Sequence, residues 1–145
     1  MHNAKRTTIC LKCGVHEDLH FKRCYPSVFD PIAWWNKPKF YTFHSEGESQ
    51  RYINLLVLLE RGSIKSLQLQ KKFALSNSTY SADFIFFDLR LRSFLYPHGR
   101  WVIEDYKGGY QTETFKKKWA EMKRLYPQYV YRLSDKPSGL IMESL

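Results

Sequence analysis

Two stretches of the chain carry acids among residues that otherwise read as core. In Tyr80-Ser81-Ala82-Asp83-Phe84-Ile85-Phe86-Phe87, aromatic and β-branched residues predict a strand. A two-residue period sets Asp83 on one face with Ile85 and Phe87, and Ala82, Phe84 and Phe86 on the other. Both faces read as buried, and a buried carboxylate needs a cation or several hydrogen bonds to offset its charge. In Trp101-Val102-Ile103-Glu104-Asp105-Tyr106-Lys107 the same period brings Trp101, Ile103, Asp105 and Lys107 to one face. Carboxylates on neighbouring strands with a lysine beside them suit metal-dependent hydrolysis. The acids hold a hard divalent cation, and the ammonium orients water or neutralises a scissile phosphate. The competing roles are structural: an Asp83 that pairs with an arginine or caps a turn, and a solvated i, i+2 ion pair of Asp105 with Lys107. Trp101 and Ile103 on the same face weigh against the solvated pair.

Glu48 is a third candidate acid, in register with the apolar stripe Tyr52, Leu55, Leu56 and Leu59. It has a competing role, because Ser45-Glu46-Gly47-Glu48 matches the S-x-x-E capping box, in which the glutamate reaches back to the cap amide.

The elements that must position these acids follow from periodicity. The i, i+3, i+4, i+7 stripe predicts a helix from Ser45 to a stop at Gly62. Ile64 to Leu75 reads as an imperfect strand, with a turn at Asn77-Ser78. Strands over Tyr80–Asp88 and Trp101–Tyr106 are joined by the loop holding Pro97-His98-Gly99, and Gly108-Gly109 ends the second. Thr112 caps a helix with the stripe Phe115, Trp119, Met122 and Tyr126, closed by Pro127. Tyr129 to Leu133 is a short strand before a polar tail with Pro137 and Gly139. The expected order is helix, three strands, helix, strand, an α/β fold.

The chain has 145 residues, enough for one core, and 43% hydrophobic with 26% charged residues excludes a disordered or low-complexity chain. Lys plus Arg is 23 against Asp plus Glu at 14, a net charge of +9 that favours a polyanionic partner such as nucleic acid, with an anionic membrane surface the weaker alternative. No apolar stretch is long enough to span a membrane, and Met1 to Arg6 leads into polar residues instead of a signal core, so a soluble protein of the cytoplasm is expected.

Lys116, Lys117, Lys118, Lys123 and Arg124 dominate one face of the second helix against Glu113 and Glu121. Such a face binds phosphates without reading sequence, or serves only solubility. Gln70 and Thr112 are further candidates to line the site.

The N-terminal part divides into a Cys/His segment over 1–25 and a Pro/Trp linker over 26–44, where Pro26, Pro31 and Pro38 disfavour regular structure. Cys10-x2-Cys13 with His20 and Cys24 supplies a Cys3His set for structural Zn2+, His16 being the alternative histidine; reduced cysteines in a small packed segment are the competing reading. The core then covers 45–133 and a tail 134–145.

Glu48 on the first helix, Asp83 on a strand, and Asp105-Tyr106-Lys107-Gly108 before a basic helix together resemble the PD-(D/E)xK nuclease superfamily. The likeness is nearest to small phage-encoded nucleases formerly grouped as a domain of unknown function. The similar stretches are SEGESQRY from Ser45, LQLQKKF from Leu67, YSADFIFFD from Tyr80 and VIEDYKG from Val102, within roughly residues 40–133.

The resemblance implies a restriction-endonuclease-like αβββαβ core, with a mixed central sheet flanked by helices and a short Cys/His extension. It implies a Mg2+- or Mn2+-dependent DNA endonuclease, structure-selective for branched or single-stranded DNA, acting in phage DNA processing in a bacterial or phage-infected cell. Asp83 and Asp105 would be metal ligands with the Tyr106 carbonyl, Glu48 a further ligand or holder of metal-bound water, and Lys107 would position the attacking water. A homodimer would fit a branched substrate. Ser81-Ala82 stands where the family usually has a proline before the first aspartate. The alternative from another class is a non-catalytic, zinc-containing nucleic-acid-binding module, and RNA is an alternative substrate.

Overall fold

The structure is a computed structural model and describes residues 6–11, 14, 40–107, 111–135 and 141–144. Its strands are β1 (Thr7–Cys10), β2 (Phe40–Phe43), β3 (Ile64–Ala74), β4 (Thr79–Asp88), β5 (Arg100–Tyr106), β6 (Val130–Ser134) and β7 (Ile141–Ser144). The helices are α1 (Glu46–Glu60) and α2 (Glu113–Leu125), and a short 3-10 turn covers Leu89–Leu91. From α1 to β6 the order is helix, three strands, helix, strand, as the periodicity predicts.

The main sheet runs β3-β4-β5-β6-β7. Its pairs are antiparallel except β5 with β6, which run parallel because α2 crosses between them. The protein is thus α/β with a mixed sheet and two helices. Tyr52 and Leu55 of α1 pack on one face with Phe84, Phe86, Val102 and Val130. Trp119 and Met122 of α2 pack on the other with Tyr80, Ala82, Ile85, Ile103 and Tyr131. Among the described residues no helix is long and apolar enough to cross a membrane.

Four expectations need correction. Phe40–Phe43, expected as the end of a linker, is a strand paired antiparallel with Thr7–Cys10. Ile9 and Phe43 join the core beside α1, so this pair belongs to the main packing unit. The expected polar tail contains β7, paired with β6. Strict alternation fails in β4: Ala82 and Ile85 share the α2 face, while Phe84 and Phe86 share the α1 face, so the period slips at Asp83. Trp101 is 37% exposed and lies edge-on to Phe87, so it does not mark a buried face.

Of the candidate zinc ligands, Cys10 is buried in β1, whereas Cys13, His20 and Cys24, with His16, lie outside the described residues, as does Gly108-Gly109.

Candidate active site

Four expected residues meet at one end of the β4–β5 pair. The recorded pairing runs from Asp88↔Arg100 to Phe84↔Glu104. Beyond it, the Asp83 side chain takes over a bond the backbone would otherwise make: its Oδ2 accepts the Tyr106 N–H at 2.9 Å. Its Oδ1 accepts from Gln70 Nε2 at 3.0 Å. Gln70 sits on β3 at φ 51, a left-handed backbone that costs a non-glycine residue about 1 kcal/mol or more. Gln70 therefore stands against Asp83 and orients its carboxylate.

Asp105 is 2% exposed. Its Oδ2 accepts from Tyr80 Oη at 2.5 Å. Its Oδ1 is buried with no hydrogen-bond partner, and Lys107 Nζ stands 3.6 Å away. The Lys107 ammonium also lies 4.0 Å from the centroid of the Phe115 ring. Phe115 is set by the start of α2, where Thr112 Oγ1 accepts its N–H at 3.1 Å. Thr112 therefore acts as the cap, one step removed from Lys107.

Glu48 is buried in the first turn of α1. Ser45 Oγ accepts the Glu48 N–H at 3.1 Å. The reciprocal bond of a capping box, from the glutamate side chain to the Ser45 N–H, is not among the hydrogen bonds of the described residues. The carboxylate instead feels Asp83 and Lys107. Gly47 leaves room for the Tyr106 side chain beside this turn, since a Cβ there would collide with Tyr106 Oη. The Tyr106 hydroxyl donates to the Asp135 carbonyl at 3.1 Å.

Crowding Glu48 and Asp105 out of water raises their affinity for protons. Burial and the Asp83 charge push the Glu48 carboxyl up to about 8, against the opposing pull of Lys107. Burial, then Asp83, hold Asp105 well above the usual carboxylate range, opposed by Lys107 and Tyr80. Tyr41 of β2 borders the same acids, its hydroxyl raised by burial, Glu48 and Asp83.

A folded-state value above the unfolded one means stability that is full at low pH and lost as pH rises, here between about 4.5 and about 8 for Glu48. In EDTA, the wild-type melting temperature is expected to fall more than that of Glu48→Gln between pH 5 and 8.5. The difference should be about 3–5 °C, from on the order of 1–2 kcal/mol. A pH-independent gap between the two melting curves would remove Glu48 from the acid cluster.

Behind the acids lies a pair that periodicity missed. Arg51 and Glu104 are 5% and 1% exposed. Arg51 Nε and Nη2 donate to the two Glu104 oxygens at 2.7 and 2.8 Å, and Ser134 Oγ adds a contact at 3.3 Å. Arg51 follows Glu48 by three residues and Glu104 precedes Asp105, so the pair ties α1 to β5 next to the site. Tyr80 and Phe115 were also read only as core residues. Tyr80 precedes Asp83 by three residues on β4, but its hydroxyl reaches Asp105 on β5, a pairing across strands that leaves no local signal.

The basic helix face is less uniform than its composition. Lys118 Nζ donates to the Thr79 carbonyl at 2.9 Å, which ties it to the start of β4. Lys116 lies 3.4 Å from Glu113, Arg124 lies 3.8 Å from Glu121, and Lys123 lies 5.5 Å from the Trp119 ring centroid. Lys117 is exposed.

Among the described residues, no group of three or more His, Cys, Asp or Glu side chains is arranged to hold a metal ion. The acids meet as two strand aspartates with a glutamate in electrostatic reach, not as a closed cage. Neither family models, nor curated proteins, nor solved structures give a match to this chain.

Proposed function

We propose that this chain is a divalent-metal-dependent phosphodiesterase that cleaves DNA, of the PD-(D/E)xK type its motifs resemble. The observation that carries the reading is the meeting of Asp83, Asp105 and Lys107 with Glu48, where one buried Asp105 oxygen has no hydrogen bond. A buried carboxylate oxygen left unbonded beside other acids calls for a partner, and a cation taken up by the cluster supplies one.

The donors fit Mg2+ or Mn2+. Both ions prefer oxygen ligands, and Mg2+ is commonly held by one or two carboxylates with waters completing its shell, so a closed three-acid cage is not required. Asp83 and Asp105 would hold the ion, with the Tyr106 carbonyl and Glu48 as further donors. When bound, it supplies Lewis-acid stabilisation of charge on the phosphate oxygens.

The protein's own groups do the rest. Gln70 and the Tyr106 N–H fix the Asp83 carboxylate, and the Tyr80 hydroxyl fixes that of Asp105. Lys107, held between Asp105 and the Phe115 ring, orients the attacking water or neutralises the scissile phosphate. The net charge of +9 supports a polyanionic substrate. Structure-selective cleavage of branched or single-stranded DNA, a homodimeric state, a cytoplasmic role in phage DNA processing and a zinc-bound Cys/His segment belong to this reading as its finer parts.

The test incubates wild type and Lys107→Ala with duplex, single-stranded and four-way-junction DNA in Mg2+, Mn2+ or EDTA. The expected result is metal-dependent cleavage by the wild type, reduced at least about a hundredfold in the variant. Binding without cleavage in every metal would leave the non-catalytic nucleic-acid-binding module in its place.

A further inference from the structure

The connection between β4 and β5 is a turn braced by hydrogen bonds, with an apolar tip. Asp88 starts it by accepting from the Arg90 backbone and bracing the Arg90 guanidinium, with bonds of 2.9 Å. Ser93 and Tyr96 then close a tight turn: the Ser93 N–H donates to the Tyr96 carbonyl at 2.9 Å, and the Tyr96 N–H to Ser93 Oγ at 3.1 Å. The Arg100 guanidinium covers the Tyr96 ring at 4.1 Å. Gly99 seals the return at φ 120, where a Cβ would lie 2.5 Å from the Asp88 carbonyl oxygen.

What this scaffold presents is Phe94, 98% exposed, and Leu95, 79% exposed. Two large apolar side chains held in water at the end of a braced turn lose the stabilisation that burial would give them. Asp88 at the base is taken up by Arg90 and Arg132, and beyond it the charge has a single sign. From Leu89 to Trp101 the chain carries Arg90, Arg92, His98 and Arg100 and no acid. Arg92 is exposed, with its Nε anchored on the Leu89 carbonyl at 3.0 Å.

We infer that this tip is a nucleic-acid wedge, with Phe94 and Leu95 entering a base stack that is already interrupted while the exposed Arg92 guanidinium beside them takes a flanking phosphate. Apolar wedges unstack base steps when cationic groups beside them hold the backbone. An arginine-flanked tip with no acid complements a polyanion, and the apolar pair needs an opened stack to be buried.

The ligand class rests on the proposed function, but the location does not. Asp83 and Asp105 lie five residues along their strands from Asp88 and Arg100, about 17 Å at a strand rise of about 3.3 Å per residue, and the tip projects from the far end. The wedge would select distorted DNA at a point remote from the proposed scissile phosphate.

The experiment uses the full chain in EDTA with three fluorescent DNAs: an intact duplex, a nicked duplex and a four-way junction. Each carries 2-aminopurine at the corresponding position, next to the distortion where there is one. Wild type is expected to bind nicked and junction DNA about tenfold more tightly than intact duplex and to raise 2-aminopurine fluorescence as the base unstacks. The double variant Phe94→Ser/Leu95→Ser, checked for folding by circular dichroism, is expected to lose both the preference and the fluorescence rise while keeping its affinity for intact duplex.

Preference and fluorescence retained in the double variant would overturn the inference, as would a wild type that does not discriminate among the three DNAs. So would loss of self-association in sedimentation, or loss of binding to phosphatidylserine–phosphatidylcholine vesicles, as the only change in the variant. The first would assign the tip to a second copy and the second to a membrane surface. None of these outcomes touches the nuclease reading, which stands or falls on metal-dependent cleavage and the Lys107→Ala variant.

Discussion

Asp105→Asn is expected to abolish metal-dependent cleavage and, in the same preparation, to make the metal-free protein more stable at alkaline pH. Asparagine is close in shape and can still accept from Tyr80 Oη, but it carries no charge. Cleavage should fall about a thousandfold or more, since a group acting directly on the reacting centre is lost. Stability moves the other way because burial and Asp83 oppose the ionised form of Asp105. The folded-state value is raised, so wild type is relieved of this repulsion below the ordinary carboxylate range and burdened by it as pH rises. The variant should therefore melt above wild type in EDTA at pH 8 by about 3–6 °C, on the order of 1–2 kcal/mol, and the gap should close toward pH 4. Adding Mg2+ at pH 8 should stabilise wild type and leave the variant unchanged. Equal melting temperatures across pH, with cleavage intact, would place Asp105 outside the working cluster.

The second large effect lies behind the acids. Arg51→Met leaves Glu104 in a site that is 1% exposed, with its bidentate partner gone and only Ser134 in reach. Removing one member of a buried ion pair costs about 3–5 kcal/mol because the remaining charge is uncompensated. A drop of about 10 °C in melting temperature is expected, at roughly 2–4 °C per kcal/mol for a chain of this size. Adding Glu104→Gln should restore most of it, since a neutral amide no longer needs the guanidinium. Failure of the double variant to recover would assign the loss to Arg51 packing instead of to its charge.

How much of this was legible before the structure depended on how far apart the partners stand. The two helices and the strands from β3 to β6 follow from patterns that each lie within one segment, so apolar spacing reveals them. Asp83, Asp105 and Lys107 stand out in the sequence because acids in apolar strands are costly. Glu48 was read with its competing role as a cap, and only its burial against Asp83 separates the two. Arg51 with Glu104 stayed hidden because a pairing across helix and strand leaves no local period. The strand β2 stayed hidden for the same reason, since its partner β1 precedes the proline-rich stretch. The slip in β4 is a different failure. Strict alternation assumes that every ladder bond is made by backbone, and at Asp83 a side chain makes one of them.

The left-handed residues of β3 have an effect beyond the site. Among the described residues this strand stands at the end of the order β3-β4-β5-β6-β7, where one row of backbone amides and carbonyls has no neighbouring strand in the main sheet. Ser66 at φ 58 and Gln70 at φ 51 break its regular pleat, and its register against β4 shifts between Lys65 and Gln68. Lys65, Lys71 and Lys72 are exposed along it. A bent, lysine-studded border is a poor template for another chain's strand. The distortion that brings Gln70 to Asp83 thereby also disfavours edge-to-edge pairing, so site geometry and protection of the sheet border draw on the same few residues.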